Sequence, residues 1–471
     1  MVDPMTSQRP KTLGELRASG WQDRTIKEEI RANLVDRLRA GGDLFPGIIG
    51  YEESVLPALE RAILAGHDIV LLGERGQGKT RLIRRLIELL DEAIPIIAGS
   101  ELNDSPYDPV SAYGKQIVEE YGDATKIEWI GRNRRYAEKL ATPDTSVADL
   151  IGDVDPIKVA EGRYLADELT IHFGLVPRTN RGIFSVNELP DLPTRIQVSL
   201  LNVLEERDVQ VRGYTINLPI DLLLIASANP EDYTNRGRII TPLKDRFGSE
   251  IRTHYPGSIA HEIEIMNQEA SPPPPAVPVQ VPEFMREVIA EFTHAVRAST
   301  HINQRSGVSV RFSIANLETM IASAVRRGLR TGGTLAVPRV SDLPSVAQSS
   351  MGRIEFEVFE EGREHEILRR LLAASVLDVF RAYLAGFDFG FLLERFEGGE
   401  LLETGDLIPD ADLLEQVGNP PELTGLLARL GVSEESPAHA ASALEFALEG
   451  LHLTRRLNKT SGGGATMYGL G

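Results

Sequence analysis

The run Gly73-Glu74-Arg75-Gly76-Gln77-Gly78-Lys79-Thr80 sets a glycine, four variable positions and then Gly-Lys-Thr in eight residues. Glycines let consecutive backbone N–H groups close around phosphate oxygens. A lysine ammonium reaches the outer phosphates, and a threonine hydroxyl can ligate Mg²⁺. The spacing predicts a loop that holds a nucleoside triphosphate through Gly73, Glu74, Arg75, Gly76, Gln77, Gly78, Lys79 and Thr80, with Thr80 as a metal ligand. Such a loop must follow a strand and open a helix. His67 to Leu72 is a short apolar, strand-like run, and beyond Thr80 the residues Leu82, Ile83, Leu86, Ile87 and Leu90 recur at helical spacing.

A phosphate loop does not say what becomes of the nucleotide, so a second strand must bring an acid to the same sheet edge. Gly182-Ile183-Phe184-Ser185-Val186-Asn187-Glu188 reads as a strand ending in a carboxylate, where a P-loop ATPase keeps its Mg²⁺-associated acid and water-activating glutamate. Glu188 is the candidate for polarising the attacking water; the alternative is a solvated glutamate at a strand end. Asn187 stands where an aspartate is usual, and its amide oxygen brings no charge to the metal. A third strand, Leu222 to Ala228, ends at Asn229-Pro230, which makes Asn229 a candidate γ-phosphate sensor or a plain turn residue before proline.

These elements sit in a chain of 471 residues with 42% hydrophobic content, enough for two to four domains at ~100–200 residues each. The absence of cysteine excludes disulfides, thiolate zinc sites and a cysteine nucleophile. The polar start from Met1 to Leu16 and the lack of an apolar run of ~20 residues predict a cytoplasmic protein with no membrane insertion. A net charge of −19 disfavours nucleic acid, which binds through Lys and Arg. Lys126, Arg132, Arg134, Arg135 and Lys139 form the one basic cluster that would counter this, or else a solvated face.

Patterning divides the chain into four parts. Residues 1–44 read as an N-terminal helical extension, 45–256 as an α/β nucleotide-binding domain with a parallel sheet flanked by helices, and 257–338 as a helical lid containing the Pro272–Pro275 run. Residues 339–471 read as mostly helical, with one exposed strand over Ile354–Phe359, a long amphipathic helix from Glu364 to Leu384 and a disordered Gly-rich tail from Ser461.

The three strand ends occur in the order of AAA+ ATPases, and Phe45 to Arg311 resembles the magnesium-chelatase motor subunit and its MoxR-like relatives. Phe45-Pro46-Gly47-Ile48-Ile49-Gly50 is similar to the adenine-side segment, which implies nucleotide contact at Ile49. Asn180 to Leu189 is similar to the second phosphate-site motif, placing Asn187 beside nucleotide and metal. Pro242-Leu243-Lys244-Asp245-Arg246-Phe247-Gly248 is similar to the arginine-finger region. The resemblance implies that Arg246 reaches a neighbouring subunit's ATP and that Arg311 is a lid arginine at the nucleotide; a salt bridge to Asp245 or Glu250 and an ordinary surface arginine are the alternatives. It further implies a helix-2 insertion over Leu150–Pro177 and a hairpin over Val209–Leu218 turning near Arg212-Gly213.

The motifs and the resemblance together imply a Mg²⁺-dependent, ring-forming ATPase, in all expectation hexameric, that remodels a partner with a von Willebrand A domain as a MoxR-like chaperone or a chelatase-like motor. The alternative is a scaffold that binds ATP and turns over little because of Asn187. A sigma-54-type activator is disfavoured, since neither its Gly-Ala-Phe-Thr-Gly-Ala loop nor a helix-turn-helix is found. The scattered histidines, including His67, His172 and His254, lack metal-ligand spacing.

Overall fold

Short apolar runs bounded by polar turns build the first half of the chain. In chain order its strands are β1 (Ile69–Leu72), β2 (Ala93–Ile97), β3 (Ile127–Gly131), β4 (Tyr136–Leu140), β5 (Gly152–Val154), β6 (Ile171–Phe173), β7 (Gly182–Asn187), β8 (Asp208–Val211), β9 (Tyr214–Asn217), β10 (Leu222–Ala228) and β11 (Ser249–Arg252). The computed structural model describes residues 9–155, 168–205, 208–211, 214–230, 238–271, 276–304, 306–357, 362–418, 420–433, 436–462 and 465–470. They divide into two units, Met1–His254 and Tyr255–Gly471.

Five strands of the first unit form one sheet in the order β11-β1-β10-β7-β4, and every neighbouring pair is parallel. A parallel sheet is covered on both faces, and alternate residues serve the two covers. Val70, Leu72, Phe184, Val186, Leu224 and Ala226 enter one apolar cluster. Their neighbours Ile69, Leu71, Ile183, Leu223 and Ile225 enter the other. The register Leu72↔Ala228 and Ala226↔Val186 brings the carboxyl ends of β1, β10 and β7 to one edge. That edge is where open α/β sheets bind ligands.

The described residues 9–44 pack into this unit rather than extend from it. The helical patterning over Thr12–Leu44 resolves into two helices, Leu13–Ala18 and Ile26–Ala40. Thr25 starts the second with a capping box to Glu28, and Gly41 at φ 65° ends it. Its Ile26, Ile30 and Leu34 join the sheet's apolar cover. Glu29 on the same helix is buried against Arg135, with oxygen–nitrogen distances of 2.8 and 2.6 Å. Arg135 therefore leaves the basic cluster, because its guanidinium faces a carboxylate in the interior and not a polyanion in solvent.

Both insertions expected beside the sheet are present in part. β5 pairs antiparallel with β6, and the residues between them from 156 to 167 lie outside the described set. β8 pairs antiparallel with β9 as a hairpin, with the turn at Arg212-Gly213 also outside it.

The second unit is mainly helical. One apolar core runs from Ile263 to Tyr468, so the expected lid and C-terminal regions share a single interior. Pro272–Pro275 lies outside the described residues. The long helix spans Glu364–Leu384, as its periodicity predicts. Two expectations fail here. The described part, Ile354–Glu357, is not a strand: Phe356 makes one isolated bridge to Ile302, and Val358 and Phe359 are outside the described residues. Alternation alone cannot make a strand without a partner edge.

The tail, expected as disordered, forms β13 (Asn458–Gly462) and β14 (Ala465–Gly469), which pair with each other and with β12 (Leu402–Gly405). Tyr468 anchors it, buried to 2% exposure, its hydroxyl donating to the Glu449 carboxylate at 2.5 Å. Ser461 and Gly462 of the glycine-rich run belong to β13, and Gly463 and Gly464 lie outside the described residues.

Candidate nucleotide site

The helix that follows the loop begins at Lys79, and Gly76 and Gly78 both stand at φ 74°, in the left-handed region open to glycine. Gly73 is required for a different reason: a Cβ there would lie 1.9 Å from the Thr253 hydroxyl and 2.2 Å from the Gln77 side-chain oxygen. Those two groups hold the loop in shape. Thr253 donates to Gln77 Oε1 at 2.7 Å, and the Glu74 N–H donates to the same oxygen at 3.0 Å. Tyr51 donates its hydroxyl to the Gln77 carbonyl, tying the Phe45–Glu52 segment to the loop; Ile49 is half-buried within that segment. Burial pushes the Tyr51 pKa up to about 12, so the hydroxyl keeps its proton. Gly73→Ala is expected to separate Thr253 from Gln77 and to weaken nucleotide affinity at least tenfold. The stability cost should be about 1–3 kcal/mol, as for other overpacked sites. Titration with a fluorescent ATP analogue and a thermal melt check both.

Lys79 is buried and its ammonium donates to the Gly73 carbonyl, to the Glu74 carbonyl at 2.8 Å and to Asn229 Oδ1 at 2.8 Å. The other end of the Asn229 amide donates to Glu188 Oε2 at 2.6 Å. This amide has one acceptor and two donors, and a cation on one side with an anion on the other fixes its orientation. Lys79, Asn229 and Glu188 thus form one chain of hydrogen bonds across β1, β10 and β7. Glu188 holds a left-handed backbone at φ 55°, ψ 46°, unusual for a residue with a side chain, and this turns it off the end of β7.

Asn187 is buried beside them. Its Oδ1 accepts from Ser227 at 3.2 Å, and its Nδ2 donates to Glu138 on β4 at 2.7 Å. Glu138 also accepts from Arg84 Nε at 2.9 Å and from the Tyr136 hydroxyl at 2.9 Å. Burial works against ionisation of Glu138, but these bonds and the Arg84 charge outweigh it and hold its pKa below the ordinary glutamate value. Burial, followed by the bond to Glu138, pushes Tyr136 up to about 12.

Sequence reasoning missed Glu138, Ser227 and Thr253. Tyr136-Ala137-Glu138-Lys139-Leu140 does not alternate apolar and polar residues, so no local pattern signals that a further strand reaches this edge. Thr80 is half-buried in the first turn of the helix. Glu74 is half-buried and Arg75 exposed. Arg246 is exposed on the helix Thr241–Arg246 and donates to the Leu204 carbonyl at 3.1 Å; the carboxylate of Glu250 faces Lys244 and Arg252 instead. Arg311 is exposed in the first turn of Val310–Thr331, in the second unit. His67 bonds Ser249 and His254 bonds Ser54, and no group of three or more metal-ligating His, Asp or Glu side chains occurs among the described residues.

A profile of the sigma-54 interaction domain matches residues 161–246, the stretch carrying β7, β10 and Arg246. Magnesium-chelatase subunit ChlI of Nostoc is 28% identical over 232 residues, 48% of this chain and 58% of that protein. The chloroplastic subunit ChlI-1 of Arabidopsis thaliana is 30% identical over 210 residues, 43% of this chain and 46% of that protein. Over a little under half of its length the chain resembles these AAA+ subunits of magnesium chelatase. It spans roughly half the length of these curated relatives. A chain from a cryo-EM-based structure of the BchI–BchD complex of magnesium chelatase is 21% identical, covering 69% of this chain and 98% of that one at a TM-score of 0.36. In this AAA+ protein no helix among the described residues is long and apolar enough to cross a membrane.

Proposed function

We propose that this AAA+ protein binds and hydrolyses ATP with Mg²⁺ and that its subunits assemble in a ring, hexameric in the leading reading, which remodels a partner protein. The observation that carries the reading is the hydrogen-bonded chain Lys79–Asn229–Glu188 at the carboxyl ends of three adjacent parallel strands. It sets a cation, an amide and a carboxylate around the loop that Gly73, Gly76 and Gly78 leave open.

The loop's backbone N–H groups and Lys79 bind the phosphates, the ammonium exchanging its carbonyl partners for phosphate oxygens. Thr80, at the start of the helix, and Asn187, at the end of β7, are the residues that would hold the metal, whose bound charge stabilises the β- and γ-phosphates. A hydroxyl and a neutral amide suit a hard cation that keeps most of its water. Glu188 accepts a hydrogen bond from the attacking water and so orients it in line with the γ-phosphate. Asn229 holds Glu188 and contacts the γ-phosphate, coupling nucleotide state to the position of the carboxylate.

Arg246, exposed on its helix, serves the site of a neighbouring subunit, while Arg311 serves as the lid arginine. The acidic chain suits a protein partner rather than nucleic acid, and a von Willebrand A domain is the partner that the family resemblance favours; the setting is cytoplasmic. A chaperone-like role is preferred to metal insertion because Asn187 replaces the usual acid and the helical region beyond Pro338 is longer than the family resemblance accounts for.

The test is ATP turnover per subunit across protein concentrations, with Arg246→Ala alongside. The rate should rise with concentration and fall by about 10³-fold in the variant, the scale of an arginine supplied in trans. Arg246→Ala should still bind ATP in isolation. A concentration-independent rate that survives the substitution would remove the shared site, and tight binding without turnover would favour the nucleotide-gated scaffold.

A further inference from the structure

The strand-end position that usually carries an acid is here an amide, yet a carboxylate lies directly against it. Glu138 Oε1 is 2.7 Å from Asn187 Nδ2, and the parallel register Leu140↔Asn187 and Glu138↔Ser185 keeps the two residues on neighbouring strands at the same edge. We propose that Glu138 supplies, from β4, the negative charge that Asn187 lacks, so that the divalent cation accompanying the nucleotide is held by an amide–carboxylate pair; this rests on the nucleotide-binding reading above.

Three observations support it. First, Asn187 is fixed at both ends: Oδ1 accepts from Ser227 and Nδ2 is given to Glu138. The amide therefore acts as a bridge to the carboxylate and not as an isolated neutral group. Second, Glu138 lies against the helix that follows the phosphate loop. Its partner Arg84 lies four residues after Thr80 on Lys79–Arg85, so both side chains leave the same helix face.

Third, the arrangement explains the amide itself. An aspartate at 187 would replace a donor by an acceptor 2.7 Å from Glu138 and set two like charges in contact. One acid fits this corner, and the chain carries it one strand over. Glu138 is thus a positioning residue for the metal, acting through Asn187, with the same logic by which outer carboxylates tune metal affinity elsewhere.

A purely structural role, as counter-ion of Arg84, makes different predictions. The measurement is Mn²⁺ affinity, by electron paramagnetic resonance, of the full chain with a non-hydrolysable ATP analogue, alongside thermal melts. E138Q should weaken Mn²⁺ binding by about 10- to 100-fold, the range for removal of a supporting carboxylate. R84Q, which loses the ion pair and keeps the carboxylate, should leave Mn²⁺ affinity unchanged or tighter. N187D alone should melt below wild type. The exchange E138Q/N187D, which moves the acid back to β7, should restore affinity to within a few-fold.

An E138Q protein with wild-type Mn²⁺ affinity overturns the proposal. So does an R84Q protein that reproduces the E138Q loss, or a well-folded double variant that stays as weak as E138Q. If wild type and Lys79→Ala hold Mn²⁺ equally badly in the presence of the analogue, the nucleotide reading falls and takes this inference with it. Normal wild-type binding with an indifferent E138Q removes the inference alone.

Discussion

Glu188→Gln is expected to lower ATP turnover by about 10²–10⁴-fold while leaving the nucleotide bound, the range for removing a positioned general base. The substitution is nearly isosteric, and its side-chain oxygen can still accept from Asn229 Nδ2, so the chain of bonds to Lys79 survives. What disappears is the carboxylate's charge and its affinity for a proton of the water. Binding should therefore hold within a few-fold, and ATP should remain trapped in assembled protein.

Asn229→Ala makes the contrast. It leaves Lys79 and Glu188 without the amide that joins them, so binding and turnover should fall together. Single-turnover kinetics with equilibrium binding separates the two patterns. Full turnover in Glu188→Gln would mean that another group orients the water and that the left-handed turn at Glu188 serves the fold alone.

Glu29→Ala is expected to be the most destabilising single change in the first unit, at about 3–5 kcal/mol. Removing one partner of a buried ion pair strands the other charge in the interior. Glu29 and Arg135 are 3% and 1% exposed, and Arg135 can turn to no solvent. Glu29 also accepts from the Asp91 N–H at 2.7 Å, a bond lost with it, while Arg135 Nε donates to the Arg181 carbonyl at 2.8 Å.

For a unit of this size, about 2–4 °C of melting temperature per kcal/mol gives a drop of roughly 6–20 °C. The chain's two tryptophans, Trp21 and Trp129, lie edge to face in this unit with ring centroids 5.2 Å apart, so tryptophan fluorescence follows its unfolding selectively. Replacing both Glu29 and Arg135 by methionine should recover most of the loss, because two apolar chains of similar volume leave no charge stranded. A Glu29→Ala protein that melts like wild type would show that water reaches Arg135.

The same helix marks the limits of reading locally. Its start at Thr25 and its stop at Gly41 follow from residue types within one turn of each end. Its docking onto the sheet does not, because the partner of Glu29 is on the far side of three strands in sequence. The tail failed for a related reason. A glycine-rich run looks alike whether it is loose or turns between strands, and the strand that makes the difference, β12, is distant in the chain.

The amino-acid sequence by itself determined the phosphate loop, the strand before it, the helix after it that opens with Lys79, and the two strand ends that lead into Glu188 and Asn229. These are written in residue type and spacing, since phosphate binding needs missing side chains and a cation at fixed intervals. Parallel strands buried on both faces also read as nearly continuous apolar runs. Only the tertiary structure decided which strands lie side by side. It placed β4 against β7 and so set Glu138 against Asn187, and it closed Asn229 between Lys79 and Glu188. Strand order is a choice among distant partners with similar local patterns, settled by packing of both sheet faces at once.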